Sequence, residues 1–353
     1  MGHMLLAGDI GGTKTLLGLF ERDEPRPQPR HVDQFITLDH DGLESILSTF
    51  LEKHGVRVSE LEASSFGVAG AITDQVARLT NVPWRIDAGE MMRHGFRRVR
   101  LLNDLEAMAY AIPVLAADEL AILQEGVKIS SGNVAVIAAG TGLGEGMLLN
   151  IGGRLVPGQS EGGHADFAAR TPRELEMVGA LTHVLGRVSA EHILSGPGLV
   201  NVYRFTHALL NAETAGADEE RVGAPAVVSV GTTCAAVGPV SDPSELPPRI
   251  TASALAGKCP DCVEAVDLFV SAYGAEAGNV GLRVVATAGV YIGGGIAPRI
   301  LPLLRNGRFI TAFRAKAPLD ELVGRMPVAV ILNKRSALLG AAVHANGNTG
   351  PSA

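Results

Sequence analysis

An α/β fold made of two similar halves is what the sequence predicts, on three observations. Apolar strand runs alternate with amphipathic helix patterns through the N-terminal region, the order expected of an α/β unit. A strand, glycine turn, strand unit at residues 4–20 is echoed at 134–149, the mark of a duplicated architecture. The chain has 353 residues, enough for two domains with substantial cores.

The elements follow in order. Met4-Leu5-Leu6-Ala7 is an apolar strand, Gly8-Asp9-Ile10-Gly11-Gly12-Thr13 a turn, and Leu16 to Phe20 the returning strand of a hairpin. The charged, proline-rich stretch from Glu21 to Arg30 reads as a surface loop. Leu43, Ile46, Leu47, Phe50 and Leu51 recur at helical spacing, and Gly55 ends that helix. Strands are predicted near Ser64–Val68 and Arg98–Leu102, and a helix over Leu105–Ile112. In the second half, Val134 to Ala138 is a buried strand, Gly140-Thr141-Gly142-Leu143-Gly144 a turn, and Met147 to Leu149 its return. Cys262, Val266, Phe269, Val270, Tyr273 and Ala277 form one face of a long helix. Tyr291 to Gly295 runs from strand into glycine turn, and 211–250 is an irregular excursion rich in Pro, Gly and acidic residues.

Composition excludes several function classes. Hydrophobic residues make up 46% and charged residues 19%, as in an ordinary globular chain, and the net charge of −7 argues against nucleic acid as a partner. Three cysteines make no disulfide framework and suit a reducing, cytoplasmic setting. The opening Met1-Gly2-His3-Met4 reads as an expression remnant, with no signal peptide. The longest uncharged run, Val222 to Ser241, contains Pro225, Ser229, Thr232, Thr233 and Pro239, so no membrane helix is expected.

Four motifs bear on chemistry. Glycines in Gly8 to Thr13 would let backbone N–H groups approach phosphate, and the Asp9 carboxylate at a strand end suits Mg²⁺; a plain hairpin turn explains the same residues. Gly140-Thr141-Gly142 repeats the design, and Glu145 stands where a dinucleotide fingerprint needs glycine. Asn103-Asp104 ends a strand and opens a helix. Asn103 with Glu106 has capping-box spacing, while Asp104 has the position of a general base; both readings stay open. Glu161-Gly162-Gly163-His164 and Glu191 supply carboxylates and an imidazole of the kind that pair with sugar hydroxyls, though each alone reads equally as a loop residue. Cys259-Pro260-Asp261-Cys262 has zinc-like spacing. Structural zinc takes four ligands, and with Cys234 the only other cysteine and no histidine pair nearby, the expectation is that no metal binds there.

Taken together, ordered segments along most of the chain resemble the bacterial glucokinase family. They are Gly8 to Thr13, Thr80-Asn81-Val82-Pro83-Trp84, Asn103-Asp104, Ala139 to Gly144, Glu161 to Phe167, Ser189-Ala190-Glu191, Leu194 to Val200, Gly293-Gly294-Gly295-Ile296-Ala297-Pro298 and Leu338 to Ala342. The resemblance implies a two-domain actin-like ATPase (ribonuclease H-like) fold with an interdomain cleft that closes on glucose. Its small domain would be 1–114 with 332–353 and its large domain 115–331. It implies ATP-dependent phosphorylation of the glucose 6-hydroxyl with Mg²⁺, by a homodimer. Asp104 would be the base, with Asn81, Asn103, Glu161, His164 and Glu191 on the sugar. Gly8, Asp9, Ile10, Gly11, Gly12, Thr13, Gly140, Thr141 and Gly142 would lie on the phosphates, Gly293, Gly294 and Gly295 near adenosine, and Asp9 on the metal. Two departures stand out: Lys14 replaces a smaller polar residue, and the 211–250 stretch is long for the family.

Overall fold

The computed structural model describes residues 4–79, 82–158, 160–210 and 233–347. It divides into two compact units, one of residues up to Glu119 with those from Asn333 on, the other formed mainly by the chain between them.

The first unit is built on a five-stranded sheet. Its strands are β1 (Met4–Ile10), β2 (Lys14–Glu21), β3 (Gln28–Ile36), β4 (Leu61–Val68) and β8 (Val99–Asn103), in the order β3-β2-β1-β4-β8. The β1–β2 hairpin is antiparallel, while β1–β4 and β4–β8 are parallel, so β1, β4 and β8 end at the same edge. Burial follows position. Central β1 is an apolar run with only Met4 and Asp9 less than fully buried, whereas edge strand β3 is largely exposed. That exposure corrects one expectation: β3 begins at Gln28, inside the stretch read as loop, because a solvated edge strand of mixed polar residues shows no apolar alternation.

Helix α1 (Leu43–Lys53) buries Leu43, Ile46, Leu47, Phe50 and Leu51 on the sheet, and the chain leaves it at Gly55 with φ of 64°. A three-stranded antiparallel sheet, β5 (Gly70–Thr73), β6 (Val76–Leu79) and β7 (Arg85–Asp87), leads into α2 (Ala88–Arg93). These strands are too short for a periodic signal, so the sequence does not announce them. Helix α3 (Asp104–Ala111) follows β8 directly.

The second unit holds a six-stranded sheet of order β12-β11-β10-β13-β14-β9. It comprises β9 (Leu120–Gln124), β10 (Val134–Ala139), β11 (Leu143–Ile151), β12 (Arg154–Gly158), β13 (Gly289–Gly293) and β14 (Val328–Ile331). Strand β10 pairs antiparallel with β11 and parallel with β13, repeating the β1–β2 and β1–β4 arrangement of the first unit. The helices are α4 (Pro172–Leu185), α5 (Gly196–Thr206), α6 (Leu246–Leu255), α7 (Pro260–Val284), α8 (Leu301–Leu304), α9 (Arg308–Arg314) and α10 (Asp320–Gly324). The long helix α7 buries Val266, Phe269, Val270, Tyr273 and Ala277, the face its spacing predicts. Of the 211–250 excursion, residues 211–232 lie outside the described set, and its end is already helical in α6.

The last described element, α11 (Ser336–Gly347), belongs to the first unit and packs on α3, β1 and β4. A Cβ placed on Gly340 would stand 1.7 Å from the Ala107 carbonyl oxygen, so α11 and α3 cross at backbone contact. The Leu338 to Ala342 motif is thus explained by packing. No helix among the described residues is long and apolar enough to cross a membrane.

Candidate active site

In the first unit the chemistry gathers where parallel strands β1, β4 and β8 end, the edge at which open α/β sheets bind ligands. Register places Asp9 of β1 opposite Gly67 of β4, and Gly67 opposite Leu102 of β8. Gly67 is what lets the helix start close over this edge: a Cβ there would lie 2.8 Å from the Ala107 Cβ. Asp104, the first residue of α3, is thereby held near enough to Asp9 for their charges to interact.

The Asp9 carboxyl is pushed up from 3.8 to about 7, first by burial and second by the Asp104 charge. Among the described residues no hydrogen bond or ion pair engages this carboxylate. A half-buried carboxylate with a second one beside it and no cationic side chain on it suits a hard divalent cation. Asn103 caps α3, its side chain accepting the Leu105 N–H at 2.9 Å, with Glu106 completing the capping box at the Asn103 N–H. The capping reading of Asn103 is therefore correct, and it leaves the Asp104 question separate. Asp104 Oδ1 also accepts the Leu105 N–H at 2.9 Å.

The adjoining hairpin turn is braced from behind. Thr37, fully buried, donates from Oγ1 to the Gly11 carbonyl at 2.8 Å and from N–H to the Thr13 carbonyl at 3.0 Å. Gly11 N–H closes the turn on the Lys14 carbonyl, and among the described residues no loop hydrogen bond uses the N–H of Gly12 or Thr13. Sequence reasoning missed Thr37, since a lone threonine after an edge strand gives no signal. Asn81, expected on the sugar, lies outside the described residues.

The second unit has its own assembly, centred on Glu191. This carboxylate is only 8% exposed and accepts the Leu143 N–H at 2.8 Å, directly behind the Gly140-Thr141-Gly142 turn. Its other oxygen lies 4.0 Å from His164 Nδ1, and His164 Nε2 lies 3.9 Å from Glu161. Three of the five residues expected on the sugar are thus neighbours in space, running from a buried anchor, Glu191, to an exposed end, Glu161. Backbone bonds fix the arrangement: Glu191 N–H to Gly163 O at 2.9 Å and Ala190 N–H to Ala165 O at 2.9 Å.

Beneath this loop sits a residue that sequence reasoning used only to exclude a dinucleotide fingerprint. Glu145, on β11, approaches Gly162 so closely that a Cβ there would meet its Oε2 at 2.1 Å. Its carboxyl is pushed up to about 7 by burial and by the neighbouring Glu276, against the pull of Arg283 at 2.8 Å. A charged residue inside an otherwise apolar and glycine-rich strand was the available signal.

The glycine turn after β13 lies next to the one after β10. Gly294, at φ of 82°, would place a Cβ 2.3 Å from the Ala139 carbonyl oxygen, so only glycine fits. Around Gly140 and Gly295 nothing lies within 4 Å of an added Cβ, so there is open space beside both glycines.

Comparison with known proteins decides the family. A family model described as Glucokinase matches residues 6–348. The chain belongs to the glucokinase family. A glucokinase of a Nostoc species is 36% identical over 352 residues, covering 96% of this chain and 98% of that protein. The glucokinase of Klebsiella pneumoniae is 34% identical over 346 residues, covering 98% and 97%. The crystal structure of a glucokinase from an Antarctic psychrotroph superposes with a TM-score of 0.80 at 26% identity, covering 98% of this chain and 99% of that one. A glucokinase of the ROK family from Streptomyces griseus, in complex with glucose and AMPPNP, shares the fold at a TM-score of 0.60 and 20% identity, over 97% and 99% of the two chains. The actin-like ATPase fold expected from the sequence is therefore the fold of this glucokinase-family chain, and members of the family are ATP-dependent hexose kinases.

Proposed function

We propose that this protein transfers the γ-phosphoryl group of ATP to the 6-hydroxyl of glucose, with Asp104 as the general base. The observation that supports this most directly is the Asp9–Asp104 carboxylate pair at the strand-end edge, beside a glycine turn, in a chain related over nearly its whole length to glucokinases. Phosphoryl transfer asks a protein mainly for positioning, charge stabilisation and a base at the attacking oxygen. Asp104 takes the proton of the 6-hydroxyl as its oxygen attacks the γ-phosphorus. The bond to the β–γ bridging oxygen breaks, leaving ADP.

Asp9 would hold Mg²⁺, which when bound offsets the negative charge of the phosphates. Gly8, Ile10, Gly11, Gly12, Thr13, Gly140, Thr141 and Gly142 lie along the phosphates, with the N–H groups of Gly12 and Thr13 the donors that the first turn leaves over, and Gly293, Gly294 and Gly295 lie at the adenosine. Asn81, Asn103, Glu161, His164 and Glu191 take the remaining sugar hydroxyls, and Glu191 ties its sugar contact to the turn at Gly142. The domain division 1–114 with 332–353 against 115–331, a homodimer, and work in the cytoplasm complete the reading. The three cysteines, none in a disulfide, support the last of these.

One assay tests the proposal: a panel of hexoses against ATP, ADP and polyphosphate, with glucose 6-phosphate and ADP both measured. Glucose with Mg²⁺-ATP is expected to give the highest kcat/KM. A panel in which no sugar raises ADP release above water hydrolysis would sink the enzyme reading, and a better donor or hexose would redirect it.

A further inference from the structure

The cysteines supply an observation that the kinase chemistry does not use. All three of the chain's cysteines converge in the second unit, and His207 completes the set, with the four ligand atoms within 4.8 Å of one another. This overturns the premise on which zinc was set aside in the sequence. The fourth ligand exists, but it comes from the end of α5, far from the Cys259–Cys262 pair along the chain, and spacing along the chain could not reveal it.

Three of the six distances between the donor atoms are those of a tetrahedral site, and the other three lie within 4.8 Å. With Zn–S of about 2.3 Å and Zn–N of about 2.0–2.1 Å, a regular tetrahedron has S···S edges of about 3.8 Å and S···N edges of about 3.6 Å. Here Cys234 Sγ lies 3.8 Å from Cys262 Sγ, and His207 Nε2 lies 3.4 Å from Cys259 Sγ and 3.9 Å from Cys262 Sγ. The second shell is also in place. The Tyr203 carbonyl lies 2.8 Å from His207 Nδ1, and donation from that nitrogen leaves the Nε2 lone pair directed at the sulfurs.

Cys259 is the N-cap of α7 and Cys262 lies in its first turn, where the helix favours thiolate charge. Thr206 Oγ1 bonds the Asp261 carbonyl at 2.9 Å, and Tyr203 Oη accepts the Cys234 N–H at 2.8 Å, so protein contacts already hold the three donor segments together. A disulfide explains the cluster poorly: 3.8 Å is far from a bonded S–S length, and any single bridge leaves a thiol over.

We propose that His207, Cys234, Cys259 and Cys262 form a structural zinc site that clamps the end of α5, the segment at Cys234 and the start of α7. Three cysteines and one histidine fill all four positions, so no site remains for a substrate and the role is to hold the fold. Binding displaces the thiol protons to solvent as three Zn–S bonds form, so affinity falls as pH falls. The long excursion noted in the sequence then has a covalent-strength anchor at Cys234. The inference is independent of the kinase reading, because it is read out by metal content rather than by activity.

The test uses the full chain purified under reducing conditions with zinc present in the growth medium. Elemental analysis is expected to find one zinc per chain, retained through brief EDTA dialysis. Co²⁺ exchange should give an intense thiolate-to-cobalt charge-transfer band. Removal by a stronger chelator should lower the thermal midpoint by at least about 5 °C, restored by added Zn²⁺. Cys262→Ser should lose the metal, and the cobalt spectrum of the unaltered chain answers the question even if that variant folds poorly. Three results each overturn the proposal: no bound zinc and no cobalt–thiolate band after reconstitution, zinc retained by a folded Cys262→Ser variant, or a Cys234–Cys262 disulfide in freshly purified reduced protein.

Discussion

Replacing Asp9 by Asn separates stability from activity in opposite directions. In the folded protein this carboxyl is raised from 3.8 to about 7, by burial first and by Asp104 second. The folded state therefore keeps a proton that the unfolded chain has lost between about pH 4 and pH 7. The stability this contributes is fully present below the unfolded pKa and is lost as pH rises through 7. A displacement of that size corresponds to at most about 4 kcal/mol. Water and local relaxation at a half-buried group reduce it to about 1–2 kcal/mol, or about 3–6 °C in midpoint. Without nucleotide or metal, Asp9→Asn should thus melt about 3–6 °C above the parent at pH 8, and its advantage should shrink by more than half as the pH is lowered to about 4. Titrations elsewhere, including that of Glu145, are common to both proteins and cancel. With Mg²⁺-ATP the order should reverse, since the parent gains a ligand that the variant holds weakly, and turnover of the variant should fall at least about 10²-fold. The measurement is thermal midpoint against pH, with and without Mg²⁺-ATP, alongside turnover. An unchanged pH slope with near-normal turnover in a folded variant would refute both the electrostatic account and the metal assignment.

Asp104→Asn should reduce turnover by roughly 10²–10⁴-fold with little change in midpoint or glucose affinity, because Asn keeps the shape and still accepts the Leu105 N–H. Near-normal turnover from a folded preparation would return Asp104 to a purely structural role. Glu191→Gln should keep the acceptor for Leu143 while losing the charge beside His164, raising the glucose KM about tenfold or more with a midpoint shift within about 2 °C; an unchanged KM would remove Glu191 from the sugar. Gly340→Ala should destabilise by about 2–4 kcal/mol in urea unfolding, since the added methyl meets the Ala107 carbonyl rather than a yielding side chain. A neutral result would mean that α3 and α11 do not cross at backbone contact.

The two hairpins, the helix at Leu43, the strands at Ser64 and Arg98, and the long helix around Phe269 were legible because each buries one face or one whole run against a core. Strand β3 and the small β5-β6-β7 sheet were not, because exposed or very short strands leave no period to read. At the site, Asp9 and Asp104 could be named but not paired. Their proximity depends on Gly67 having no side chain and on the register of three parallel strands, neither of which composition records. Glu191, His164 and Glu161 are neighbours through backbone bonds between Glu191 and Gly163 and between Ala190 and Ala165, contacts that no local pattern announces.

The cysteine cluster shows where spacing rules lose their force. A Cys-x-x-Cys pair is read as zinc when its partners follow at a familiar distance, because compact zinc modules must gather all ligands from a short chain. A large α/β domain has no such need. Its core already brings the end of α5 against the start of α7, so a histidine and a cysteine distant in sequence reach the pair at no further cost in chain ordering. Absence of a nearby partner is therefore strong evidence against zinc in a small domain and weak evidence in a chain of this size. The same argument applies to Asp9 and Asp104: in a folded sheet, distance along the chain ceases to measure distance in space once register is set.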